Sequence, residues 1–190
     1  MDPQELTDEA VARQALVDKE AFGPLVVRYE AKLSRYLARL GLATREDRED
    51  VLQNAFIKAY RNLNSFDPSL SFSSWMYRIA HNEAMSFFRA KQARPMLELG
   101  EEGERLLSEI RDEAADTSAR AESRLTSERL ARALATLPAK YRDALTLRYF
   151  EEHSYTEMSD ILELPVGTVS TLIHRAKRML KSALDTTTHD

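Results

Sequence analysis

Apolar residues recur along this chain at steps of three and four, and no segment sustains a period of two. The pattern predicts an all-α protein. Thr7 is placed to cap a first helix, with Asp8 and Glu9 in its first turn, where the helix dipole favours acids. Phe22, Leu25, Val26, Tyr29, Leu33, Tyr36, Leu37 and Leu40 trace one side of a second helix, and Gly41 stops it. A third helix runs from about Glu46 to Leu63, with Val51, Leu52, Ala55, Phe56, Ala59, Tyr60 and Leu63 on its apolar side. Pro68 interrupts the pattern within "NSFDPSLS". A fourth helix starts near Ser73 or Ser74, carries Trp75, Met76, Ile79, Ala80, Phe87 and Phe88, and is bounded by Pro95.

Residues 96–129 break the rhythm. They hold ten acidic and five basic residues, and their only large apolar side chains in the middle are Leu106, Leu107 and Ile110. Such a stretch reads as a solvated, flexible acidic linker, partly helical at most. Fully extended, it could span on the order of 100 Å, so two modules joined by it can sit on separated surfaces. Helical order resumes with Leu130, Leu134 and Leu137, then Pro138 and "AKYRDALTLRYFE". The expected organisation is two small helical domains, residues 1–95 and 130–190, on either side of the linker.

The second domain ends in a helix pair, "SYTEMSDILELPVGTVSTLIHRAKRML". Ser154 caps the first helix, Tyr155 to Leu162, and Glu157 three residues on completes a capping box. Glu163, Leu164 and Pro165 make the turn. In the second helix, steps of 100° put Val169, Ile173, Ala176 and Leu180 inward. Gly167, Thr168, Ser170, Thr171, His174 and Arg178 then lie on or near the outer face, with Arg175 on its flank. That face has hydroxyls, an imidazole and guanidinium groups but no carboxylate, the chemistry that suits a DNA major groove. The blander reading is a surface helix pair with a basic side.

Net charge changes the picture only locally. The total is −4, but the acidic linker alone carries −5 and leaves the rest at +1. Arg78, Arg89, Lys91 and Arg94 face a single acid, Glu83, between residues 72 and 94, a local basic surface. Absence of cysteine excludes disulfides and thiolate metal sites. The four histidines are scattered, and neither paired carboxylates nor a phosphate-binding glycine loop is present, so an enzyme is not expected, and no cofactor or metal. The acidic N-terminus is no signal peptide, and no apolar run reaches the roughly 20 residues of a membrane span. The expected location is the cytoplasm.

The helix pair, preceded by "YRDALTLRYFEEHSYTEMSDIL", resembles the C-terminal domain of the extracytoplasmic-function sigma factors, small bacterial initiation subunits of RNA polymerase. "FGPLVVRYEAKLSRYL", "EDVLQNAFIKAYRNLNSF" and "FSSWMYRIAHNEAMSFFRA" resemble successive segments of that family's N-terminal domain. The resemblance covers about residues 5–95 and 130–182, in the family's order. It implies a protein that binds core RNA polymerase, through the clamp helices of the β′ subunit and through the β subunit. It further implies one that recognises and opens promoter DNA. A sequestering anti-sigma factor is a possible further partner.

Residue roles follow from the resemblance. Asp50 and Gln53, with Asn54 beside them, match positions that meet the clamp helices. The loop from Asn62 to Phe72, with Asn82 on the next helix, matches the pocket for a flipped minus-ten base. There Phe66 would stack and Asn82 read an edge, a stack being worth about 1–3 kcal/mol. Trp75 and Tyr77 flank the pocket and fit a core role as well, Trp75 especially. Arg78 would follow the DNA backbone. Gly167, Thr168, Ser170, Thr171, His174, Arg175 and Arg178 match the minus-thirty-five reader. The chain departs from the family at Ser170 and Leu172, where basic residues are frequent, at Asn54, where an acid is usual, and at Ser159, where alanine is customary. The competing reading is a stand-alone helix-turn-helix regulator, which needs only the second domain.

Overall fold

A computed structural model describes residues 6–92 and 129–186, and every regular element among them is helical. The stretch expected to be a linker lies outside the described residues, apart from Arg129. The N-terminal half holds α1 (Asp8–Ala15), α2 (Gly23–Leu40), α3 (Arg45–Arg61) and α4 (Phe72–Gln92), with short 3-10 turns before α2 and after α3. The C-terminal half holds α5 (residues 129–135), α6 (Ala139–Tyr149), α7 (Tyr155–Leu162) and α8 (Val166–Thr186).

Local chemistry sets the helix ends. The Thr7 hydroxyl accepts from the Ala10 amide, and Thr44 accepts from Asp47 at 3.0 Å to start α3. Ser154 and Glu157 form the reciprocal capping box of α7, worth about 1 kcal/mol. Gly41 ends α2 with φ +111°, a left-handed conformation that other residues rarely adopt. The fourth helix begins at Phe72, one residue before the earliest start read from the sequence.

Leu33, Tyr36 and Leu37 of α2 are fully buried, as are Ala55 and Ala59 of α3 and Phe72, Ala80 and Ala84 of α4. The paired alanines let helices approach closely. Tyr60, expected on the inward side of α3, is instead 38% exposed, its edge touching Phe22 and Lys19 lying over its ring. A large phenol at the end of a helix satisfies both sides by covering apolar surface while its hydroxyl stays wet.

The apolar core does not stop at the end of the N-terminal half. Ala144, Leu147, Met158, Ile161, Val169 and Ile173 belong to the same continuous cluster as Leu33 and Phe72. A smaller cluster of Leu134, Leu137, Leu145 and Ala176 binds α5, α6 and α8 together. α4 packs on α3 along one side and on α7 along another, while α6 packs on α2. The separation that a long linker permits is therefore not what this structure adopts: the two halves are in contact.

Candidate functional site

Three helix faces carry the residues singled out from the sequence. On α3, Asp50, Gln53 and Asn54 are all exposed, opposite the buried Val51, Leu52 and Ala55. Ile57, 41% exposed, and Tyr60 continue the same stripe one and two turns on. Those two were missed. Their signal was an apolar residue at the spacing of the polar stripe, and a polar edge prolonged by apolar side chains is a protein-docking chemistry.

On α8 the outer face is open. Gly167, Thr168, Thr171, His174, Arg175 and Arg178 are exposed and Ser170 half-buried, while Val169, Ile173 and Ala176 are fully buried behind them. The Thr171 hydroxyl donates to the Gly167 carbonyl at 2.9 Å, which leaves its methyl and oxygen lone pairs outward. Ser159 donates to the Leu164 carbonyl at 2.5 Å, so the serine ties the turn between α7 and α8. Leu172 packs against the core cluster.

The third face belongs to α4 and the loop before it. Asn62 is exposed at the end of α3, its amide donating to the Lys58 carbonyl. Phe66 is buried in an aromatic cluster, with ring centroids 5.3 Å from both Phe72 and Trp75. Trp75 and Tyr77 are buried too, and Arg78 and Asn82 are half-buried. One edge of Phe66 opens on a cavity of about 100 Å³ shared with Trp75, Arg78 and, from α7, Asp160. Ligand pockets ordinarily begin near about 300 Å³, so this one is small with α7 in place.

What holds α7 against α4 was not legible in the sequence. Glu151, just before α7, accepts from Arg39 at 3.0 Å and from the Tyr77 hydroxyl at 2.6 Å, its side chain only 7% exposed. Burial, then the Glu151 charge, raises the Tyr77 phenol well above its ordinary range, so it remains a donor. The Tyr77 and His153 rings meet edge to face at 4.6 Å. Arg142 donates to the Leu40 carbonyl at 2.8 Å, and a Cβ on Gly41 would lie 3.2 Å from that guanidinium. Burial pushes His81 down to about 4, leaving it neutral near pH 7, so its Nδ1 can accept from the Tyr36 hydroxyl 3.0 Å away.

An all-helical body that joins an open helix-turn-helix to a loop backed by aromatic side chains suits a nucleic-acid-handling protein. The family model described as Sigma-70 region 2 matches residues 25–94, and that of Sigma-70, region 4 matches residues 127–180. The chain is 38% identical over 190 residues to the ECF RNA polymerase sigma-E factor of Haemophilus influenzae, covering 95% of this chain and 97% of the relative. It is 36% identical to the ECF RNA polymerase sigma factor SigW of Bacillus subtilis, over 88% and 90% of the two chains. Among solved structures, CnrH in complex with the cytosolic domain of CnrY is similar with a TM-score of 0.68 and 27% identity, covering 94% of this chain and 97% of that one. The chain belongs to the extracytoplasmic-function branch of the sigma-70 family of RNA polymerase sigma factors.

Proposed function

We propose that the three faces divide the work of transcription initiation. The α3 stripe, Asp50, Gln53 and Asn54 with Ile57 and Tyr60, docks on the β′ clamp helices of core RNA polymerase. The loop from Asn62 to Phe72 and the α4 face with Arg78 and Asn82 capture the minus-ten strand as the duplex opens. The outer face of α8 reads the minus-thirty-five element in the major groove, and the C-terminal half also meets the β subunit. Residues 1–95 and 130–190 are the two modules, the chain acts in the cytoplasm, and it catalyses no reaction of its own. Among the described residues no helix is long and apolar enough to cross a membrane, and no cluster of side chains could hold a metal. CnrH was solved with a cytosolic domain of another protein, which supports adding an anti-sigma factor to the proposed partners.

The observation that carries the reading is α8: one side fully buried, the other an exposed stripe of Gly167, Thr171, His174 and Arg178 without a carboxylate. The test is transcription in vitro with core polymerase over a promoter library. Asp50→Lys with Gln53→Ala should lower polymerase affinity roughly ten- to a hundredfold in a pull-down, with circular dichroism unchanged. Phe66→Ala and Asn82→Ala should leave polymerase binding intact and reduce permanganate reactivity of promoter thymines. A premelted template should restore much of that loss. A chain that shifts promoter duplex fully without polymerase, and directs no transcription with it, is instead a stand-alone regulator.

A further inference from the structure

About one turn of α8 separates Gly167 from Thr171, and both stand on the exposed stripe. Gly167 lies in the first turn of the helix, and its φ is outside the left-handed region that favours glycine. A Cβ there would meet none of the described residues within 4 Å. A glycine in a helix costs stability relative to alanine. No described neighbour requires that cost, so the missing side chain matters to what approaches from outside.

Thr171 is committed on one side. Its hydroxyl donates to the Gly167 carbonyl at 2.9 Å, and a carbonyl only accepts, so the hydroxyl hydrogen is taken. Donating outward instead would forfeit that bond. What remains toward solvent is an oxygen that accepts and a methyl group beside it. Arg175 and Arg178, further along the helix, have the opposite sign, because guanidinium groups only donate. From Val166 to Leu184 the helix has no carboxylate, so no anionic acceptor accompanies Thr171 there.

Each base pair shows its own pattern in the major groove. Guanine presents two acceptors, N7 and O6, which suit an arginine and oppose an acceptor. Adenine presents the N6 amine, a donor, and its partner thymine presents a methyl. Cytosine has an amine, but its pair has no methyl. An A·T pair alone meets both features of Thr171. We infer that Thr171 selects an A·T pair in the upstream element, its oxygen accepting from adenine N6 and its methyl packing on the thymine methyl, and that Gly167 is bare so that this pair can come close. The inference rests on the assignment of α8 to the minus-thirty-five element, and names the base chemistry that one position of it reads.

The test uses the full chain in the holoenzyme, on a promoter selected from the library. The A·T pairs of its upstream element are altered one at a time. 2-Aminopurine in place of adenine moves the amine out of the major groove, and deoxyuridine in place of thymine removes the methyl. At one pair the wild type should lose about two- to tenfold in affinity with either analogue. Thr171→Val keeps methyl groups and lacks the oxygen. It should stop responding to 2-aminopurine at that pair and still respond to deoxyuridine. Thr171→Ser should do the reverse. Gly167→Ala should unfold at the same or a higher urea concentration, yet bind the upstream element more weakly. Unchanged responses in both Thr171 variants would overturn the proposal, as would a wild-type preference for guanine at the pair that Thr171→Val desensitises. Undiminished binding by Gly167→Ala would overturn the role given to the glycine. If His174→Ala and Arg178→Ala shift the upstream preference while the Thr171 variants do not, only the Thr171 reading fails. If none of them shifts it, the assignment of α8 has failed as well.

Discussion

α4 and α8 are each 21 residues long, and each carries a face suited to nucleic acid, yet only α8 leaves that face open. Thr171, His174, Arg175 and Arg178 stand in solvent, whereas α7 lies along α4 and Arg78 is half-buried beside Asp160. The two helices differ in what backs them. α8 covers its own apolar side within the C-terminal half, through Val169, Ile173 and Ala176. α4 has buried aromatic and apolar residues on more than one side, Trp75 and Tyr77 among them, and takes α7 as a second neighbour. A helix with apolar residues over much of its circumference needs cover, and here the cover lies over the side that carries Arg78.

The strongest way to break this contrast is to remove Arg39. Its guanidinium holds Glu151 from across the contact and lies over the Phe150 ring. Arg39→Met leaves a largely buried carboxylate that still accepts from the Tyr77 hydroxyl, which we expect to cost about 3 kcal/mol. The expected outcome is an expanded chain by small-angle scattering and faster amide exchange along α4, with binding of upstream duplex by α8 unchanged. A chain as compact as the wild type would show that apolar burial alone closes it.

A comparable, pH-dependent effect comes from Asp143, 4% exposed on α6 with Oδ1 lacking a hydrogen bond among the described residues. Burial pushes its carboxyl up to about 7, against the Arg142 charge. The folded state then binds a proton more tightly than the unfolded chain, so this group's contribution to stability falls as pH rises between about 4 and 7. His81 acts in the opposite sense. Its folded value of about 4 lies below the unfolded 6.5, so its contribution rises with pH across that window. Asp143→Asn should leave the His81 trend alone. Urea unfolding should show stability rising from pH 4 to about 6.5, and above pH 7 a gain over wild type on the order of 2–4 kcal/mol. An unchanged pH profile would place the titration elsewhere.

The sequence made the contents of each half readable and left their contact dark, for a physical reason. Capping at Thr7 and Ser154, the stop at Gly41 and the inward stripe of α8 are local: residues within one or two turns determine them, and the structure places each as expected. Glu151 and Arg39 lie 112 residues apart, and no periodicity relates them. Each looks like an ordinary surface charge until the partner helix arrives. Phe66 shows the same limit within one half. Its type suited a stacking platform, but whether the ring faces solvent depends on Phe72 and Trp75, six and nine positions on. Glu157 and Glu163 were read only as a cap and a turn, because the proximity of α7 to α4 is not a local property of the sequence.

The finest test asks whether α8 is as open as the comparison holds. Ser170 is half-buried at the edge of the outer face. An arginine there extends past the helix edge toward the groove wall, where a phosphate contact is available. One added contact should steepen the dependence of binding on salt by about one unit of slope and tighten binding several-fold at low salt. His174→Ala and Arg175→Ala should weaken binding, and Arg175→Ala should also flatten the slope. The measurement is fluorescence anisotropy of upstream duplex against salt, with the full chain and with the Arg39→Met variant. If the face is open, Ser170→Arg gives the same gain in both backgrounds. A gain confined to the expanded variant would mean that the closed chain hides α8 as well, and the contrast with α4 would collapse. No gain in either background would mean that residue 170 does not approach the phosphates, and that the helix sits in the groove at a different rotation.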